Sequence, residues 1–86
     1  MRQITLNRIY RHFKGGLYRT LYFAKHTETG EELVIYQSLK TQEVFARPKA
    51  MFASKVDKKK YPNATQKFRL ELVNDEDITY EKYKKN

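Results

Sequence analysis

Apolar and polar residues alternate over short runs along this chain, and sustained helical periodicity is hard to find. Ile9 to Phe13 reads as a first strand. Lys14-Gly15-Gly16 follows as a tight turn, because glycine reaches the positive φ that a hairpin needs. Leu17 to His26 reads as a second strand with apolar groups on both faces: Leu17, Leu21 and Phe23 on one, Tyr18, Tyr22 and Ala24 on the other. Such a strand is either covered on both sides or strongly bent. After the polar turn Thr27 to Glu31, a third strand runs from Leu33 to Leu39. It sets Val34 and Tyr36 on one face and Leu33, Ile35 and Leu39 on the other. Lys40 to Glu43 is a loop. Val44 to Arg47 is a short fourth strand, which Pro48 ends or confines to an edge.

Lys49 to Ala53 suits one helical turn with Pro48 at its start, returning Met51 and Phe52 to the core. Lys55-Val56 begins another strand, and Asp57 to Gln66 is a polar loop. Phe68 to Val73 alternates most cleanly, with Phe68, Leu70 and Leu72 inward and Arg69 and Glu71 outward. The expected core is Tyr10 or Phe13 with Leu21, Val34, Met51, Phe52, Leu70 and Leu72. These elements predict an all-β fold: a small, bent barrel of five or six short strands with one helical turn. It forms one domain over residues 1–73, followed by a charged tail, 74–86. In the tail, acids follow Asn74 and lysines come last, an order that suits a capped helix dipole; a frayed end fits equally.

Composition narrows the picture. A chain of 86 residues is one domain that buries about 60–65% of its unfolded surface. It has no cysteine, so neither a disulfide nor a thiolate metal site supports it. The first residues lack an apolar leader, and no apolar run approaches the ~20 residues of a membrane span. The expectation is a soluble cytoplasmic protein that does not engage membrane. The net charge is +8, concentrated in Arg2, Arg8, Arg11, Lys14, Arg19 and Lys25 before the first acid, and again between Arg47 and Lys60. That excess either attracts polyanions or serves solubility.

Few residues carry chemistry. His12 and His26 are the only histidines; with Glu28 they make a thin metal set, and each more simply bonds a neighbour. Glu28 is a general base beside His26 or a turn residue that pairs with Arg11 or Arg47. Arg47, at a strand end beside Tyr36, either forks onto a phosphate or carboxylate or caps carbonyls inside the fold. Tyr10, Tyr18, Tyr22 and Tyr36 are too many for so small a core, so some rings lie at the surface, where they stack bases or line a peptide groove. Gly15-Gly16 is not a phosphate loop, because the spacing and the following helix are missing. No cofactor is implied, and no nucleophile or acid pair marks an enzyme.

Taken in order, Tyr10-Arg11-His12-Phe13-Lys14-Gly15, Tyr18, Ala24, His26, Glu28-Thr29, Leu33-Val34, Tyr36, Arg47-Pro48 and Met51-Phe52 make a recognisable set. The set resembles the bacterial domain of unknown function 1653, over about Asn7 to Leu72. Phe45 stands where that family often has tryptophan. The resemblance implies an SH3-like β-barrel and no particular reaction. The expected function is a binding or adaptor module that takes nucleic acid on a basic, tyrosine-rich face. Arg11, His12, Lys14, Tyr18, Arg19, Lys25, His26, Glu28, Tyr36 and Arg47 are the candidate contacts, and alternation puts Arg19 with Lys25. The alternative is an aromatic groove for a peptide or an acidic protein. A small hydrolase or metal enzyme is the remaining class.

Overall fold

A computed structural model describes residues 3–74. The tail from Asp75, with its proposed helix, lies outside the described residues. Five strands and one short helix follow in order: β1 (Ile9–His12), β2 (Leu17–Lys25), β3 (Glu32–Ser38), β4 (Val44–Pro48), α1 (Lys49–Phe52) and β5 (Leu70–Leu72). All pairings are antiparallel, and the sheet order is β4-β3-β2-β1-β5. The all-β class is as expected. Among the described residues the sheet is not closed on itself: β4 and β5 are its edges. The strand expected to begin at Lys55-Val56 is present only as an isolated antiparallel bridge, Lys55 to Phe68.

The β1–β2 turn forms for the reason read from the sequence. Gly15 and Gly16 have φ of 103° and 91°, and the Gly15 N–H donates to the His12 carbonyl at 2.8 Å. A side chain at either position would be strained.

Along β2 the register shifts between Thr20 and Tyr22. Thr20 pairs with Tyr36 and Tyr22 with Ile35, so Leu21 is the extra residue of a bulge. One extra residue reverses the alternation beyond it. Tyr18, Thr20, Phe23 and Lys25 therefore share one face, with Tyr10, His12, Val34, Tyr36, Phe45, Arg47 and Leu70. Leu17, Arg19, Tyr22 and Ala24 point the other way. This corrects the regular alternation expected for the strand, and Leu21 is half-buried instead of central.

The first face carries the main core: Ile4, Tyr10, Val34, Tyr36, Phe52, Ala53 and Leu70. Phe52 is fully buried and meets Tyr10 and Tyr36 edge-on, at centroid distances of 5.4 and 5.3 Å. One ring thus spans strands β1 and β3. On the second face Ile9, Leu17 and Val73 make a smaller cluster.

Two expected core residues are outside. Met51 is 48% exposed because successive helix residues are turned about 100° apart, so a single turn that seats Phe52 cannot seat Met51. Leu72 is 49% exposed: it faces Tyr10 from an edge strand that has a paired strand on one side only. Val73 takes its place on the second face, its N–H donating to the Ile9 carbonyl at 2.9 Å.

The contrast within α1 is testable by urea denaturation. Phe52→Ala should cost about 3–5 kcal/mol, as a large buried ring does. Met51→Ala should stay within about 0.5 kcal/mol, as exposed positions do. Similar losses at both would mean that α1 is rotated from the orientation described.

Candidate functional site

The first face does not end at the core. Outward from the buried Tyr36 lie Tyr18, Phe45 and His12, none of them buried. Tyr18 and Tyr36 meet edge-on at 5.5 Å, Tyr18 and Phe45 at 6.3 Å, and Tyr36 and Phe45 lie tilted at 5.7 Å. Pairing places these rings: Thr20, Tyr36 and Phe45 stand abreast on β2, β3 and β4, with Tyr18 two residues before Thr20. His12 meets Tyr18 edge-on at 6.4 Å and stacks on Phe13 at 4.8 Å. Such ring pairs favour offset and edge-on geometry, which leaves part of each ring face open.

Arg47 belongs to the same face, directly across from Val34. It is half-buried, and its Nη1 is enclosed with no hydrogen-bond partner among the described residues. An unpaired enclosed donor costs about 1–3 kcal/mol. The reading that Arg47 caps internal carbonyls is not met at this nitrogen. Arg69 lies nearby, anchored by its Nε–H to Ser54 Oγ at 3.3 Å.

The imidazole of His12 registers these charges. Burial first, and then the cations Arg47, Arg69 and Lys14, hold its pKa below the ordinary 6.5. Its Nδ1 accepts the Lys14 N–H at 3.1 Å, which fixes the ring beside the turn. The neutral imidazole is thus favoured, and among the described residues the charges acting on it are cationic.

The remaining expected residues are distributed differently. Lys14 sits in the β1–β2 turn with its Nζ over the rings of Tyr61 and Phe13. Arg11 lies on the second face, across from Leu17 and Glu71. Arg19 is on that second face too, its Nη1 donating to the Asn7 carbonyl and side-chain oxygens at 3.4 and 3.3 Å. Lys25 lies on the first face, across from Glu32. The bulge thus separates Arg19 from Lys25, and the shared cationic stripe expected of them is not formed.

His26 stands at the far end of the nine-residue β2 from His12, so the two histidines do not converge. Its Nδ1 accepts the N–H groups of Glu28 and Thr29, at 3.2 and 3.4 Å, and so organises the turn. Glu28 is exposed in that turn; among the described residues the ion pair present is Lys49 with Glu32, at 3.0 Å, not one to Arg11 or Arg47. No group of three His, Cys, Asp or Glu side chains among the described residues is placed to hold a metal. No described helix is long and apolar enough to cross a membrane.

The sequence reading missed Arg69 and undervalued Phe45. Phe45 was within reach, since it is two residues before Arg47 on a strand and must share its face. Arg69 was not, because only the fold brings β5 to this corner.

The chain belongs to a family described as a protein of unknown function (DUF1653), whose model matches residues 8–71. That span runs from just before β1 into β5 and includes His12, Tyr18, Tyr36, Phe45, Arg47 and Arg69. No curated protein and no solved structure matches the chain.

The depressed pKa of His12 gives a pH dependence of known sign. As pH falls through 6.5, the unfolded chain binds a proton at this position before the folded one does. Stability therefore falls from that point down to the folded pKa, then levels. Thermal melts between about pH 7.5 and pH 5 should show a shallower decline for His12→Gln than for the parent chain. Identical slopes would show that His12 titrates normally in the fold.

Proposed function

We propose that this DUF1653 member is a binding module that takes single-stranded nucleic acid on the face formed by His12, Tyr18, Phe45 and Arg47. The observation that supports this most is the enclosed, unpartnered Nη1 of Arg47 beside open aromatic rings. Guanidinium pairs with phosphate through two parallel N–H donors, and an aromatic face stacks any base without regard to sequence. The two needs of a single strand, a place for bases and a place for phosphates, thus lie side by side. A duplex offers its phosphates but hides its base faces, so the rings favour the single strand.

Because Nη1 is enclosed, an incoming phosphate oxygen has to displace a neighbouring side chain to reach it. The gain from satisfying that donor offsets this cost. Phosphate beside His12 also counters the cations that depress its pKa, so binding should draw a proton onto the imidazole. Tyr36 supports the site from beneath, packed between Phe45 and Phe52.

The test is a fluorescence anisotropy titration with labelled single- and double-stranded DNA and RNA. With about three phosphates engaged, single-strand affinity should fall about twentyfold between roughly 50 and 200 mM salt. Tyr18→Ala should cost about 1–3 kcal/mol, the worth of one stack, and Arg47→Ala should weaken binding while lowering the salt slope by about one contact. Arg11→Ala with Arg19→Ala, on the opposite face, should change affinity by no more than about twofold. Equal loss from the Arg11 and Arg19 pair would replace face-specific recognition with diffuse attraction. Absence of binding to every strand at low salt, with binding to an acidic peptide, would establish the aromatic-groove alternative.

A further inference from the structure

A concave feature lies at the end of the molecule that carries the β1–β2 turn. It is an open groove of about 350 Å³ whose lining includes Phe13, Lys14, Lys60, Tyr61, Pro62 and Ala64. That volume is within the range of small-ligand sites. Its two walls come from segments far apart in sequence, the turn after β1 and the loop 57–66.

The loop is built, not merely draped. Asp57 Oδ1 accepts the N–H groups of Lys59 and Lys60, at 3.0 and 3.4 Å. The Tyr61 N–H donates to the Asp57 carbonyl at 2.9 Å, and the Ala64 N–H to the Tyr61 carbonyl at 3.1 Å. Lys58 Nζ closes the loop onto the carbonyls of Ala64 and Gln66, and Gln66 Nε2 ties it to the Arg11 carbonyl at 3.1 Å. Tyr61 is held edge-on to Phe13, with ring centroids 4.9 Å apart.

Two ammonium groups converge on this wall. Lys14 Nζ lies 4.8 Å from the Tyr61 ring centre and Lys60 Nζ 5.6 Å from it. None of the lining residues is acidic, and the nearby Asp57 carboxylate is turned into its own loop. The Tyr61 phenol is held below its ordinary 10.0, first by its hydrogen bond with Lys14. Aromatic walls with two cations lying over them complement a planar ring that carries an anionic group, whose charge draws the flexible lysines off the ring faces that the base then takes.

We infer that this groove is a nucleotide site, in which the rings of Phe13 and Tyr61 take the base and Lys14 and Lys60 take the phosphate. A free mononucleotide and the terminal nucleotide of a strand present the same chemistry. The inference stands on the groove alone and holds even if the sheet face binds nothing.

The test compares adenosine 5′-monophosphate, adenosine, and a short oligoadenylate with and without a 5′-phosphate, each titrated into the full chain by NMR. Adenosine 5′-monophosphate should bind with a dissociation constant below about 1 mM and at least about tenfold more tightly than adenosine. Lys14→Ala with Lys60→Ala should abolish that preference, while Arg11→Ala with Arg19→Ala, on the second face of the sheet, leaves it unchanged. A bound phosphate neutralises both ammonium groups, so the Tyr61 phenol should return toward 10.0; the tyrosinate absorbance lost in Tyr61→Phe isolates this shift. If the 5′-phosphate improves oligoadenylate binding equally, the site reads strand ends; if only the mononucleotide gains, it is a small-molecule site. Equal affinity for adenosine and its monophosphate, or a preference that survives loss of both lysines, would overturn the inference. Loss of the preference in Arg47→Ala instead would move the site to the sheet face.

Discussion

The structure depends on a single irregularity in its longest strand. Between Thr20 and Tyr22 one extra residue enters β2, and the buried Thr20 hydroxyl holds that point from above. The hydroxyl donates to the Thr5 carbonyl at 2.7 Å and accepts the Arg8 N–H at 3.2 Å, while the Asn7 N–H donates to the Thr20 carbonyl at 2.8 Å. A fully buried hydroxyl is tolerated because both its donor and acceptor roles are met. The residues before β1 are thereby pinned to the middle of β2. Without the extra residue, every side chain from Tyr22 to Lys25 would change face.

That shift determines what the first face holds. Phe23 joins Val34 and Arg47, and above them Thr20, Tyr36 and Phe45 stand abreast. Phe52 fills the space beneath, so Tyr36 is immobilised and its neighbours Tyr18 and Phe45 are supported without being submerged. The same packing encloses one nitrogen of Arg47 with no acceptor among the described residues. Among the described residues the charges set against the His12 imidazole are three cations, Arg47, Arg69 and Lys14, which with burial favour its neutral form. Sites that accept such a cost within a well-packed fold are where an anionic ligand recovers free energy.

Strand positions, the glycine turn, the edge role of Pro48 and the burial of Val34, Phe52 and Leu70 were legible in the sequence, because each follows from period or from a local backbone requirement. The bulge was not legible. Leu21 is an ordinary strand residue, and what makes it the extra one is the bonding of Thr20 to residues 5–8, a tertiary matter. Consequently the face of Arg19 could be read and that of Lys25 could not. Met51 and Leu72 went astray for geometric reasons: a one-turn helix has one inward position, and an edge strand is covered on one side. His12, Tyr18, Tyr36 and Arg47 stood in the sequence among the candidate contacts, and strand pairing sets all four on one face, with Tyr36 buried within it. Arg69 and Tyr61 enter through contacts across the fold that no local pattern encodes.

The central claim is that recognition belongs to the face the bulge creates, not to net charge. Backbone and arginine side-chain NMR spectra recorded while a short single-stranded oligonucleotide is added test this directly. Within the sheet, the predicted shifts fall on His12, Tyr18, Phe45 and the Arg47 guanidinium, with Arg11 and Arg19 on the opposite face unmoved. Shifts of equal size at Arg11 and Arg19, or spread over all cations in proportion to exposure, would contradict it.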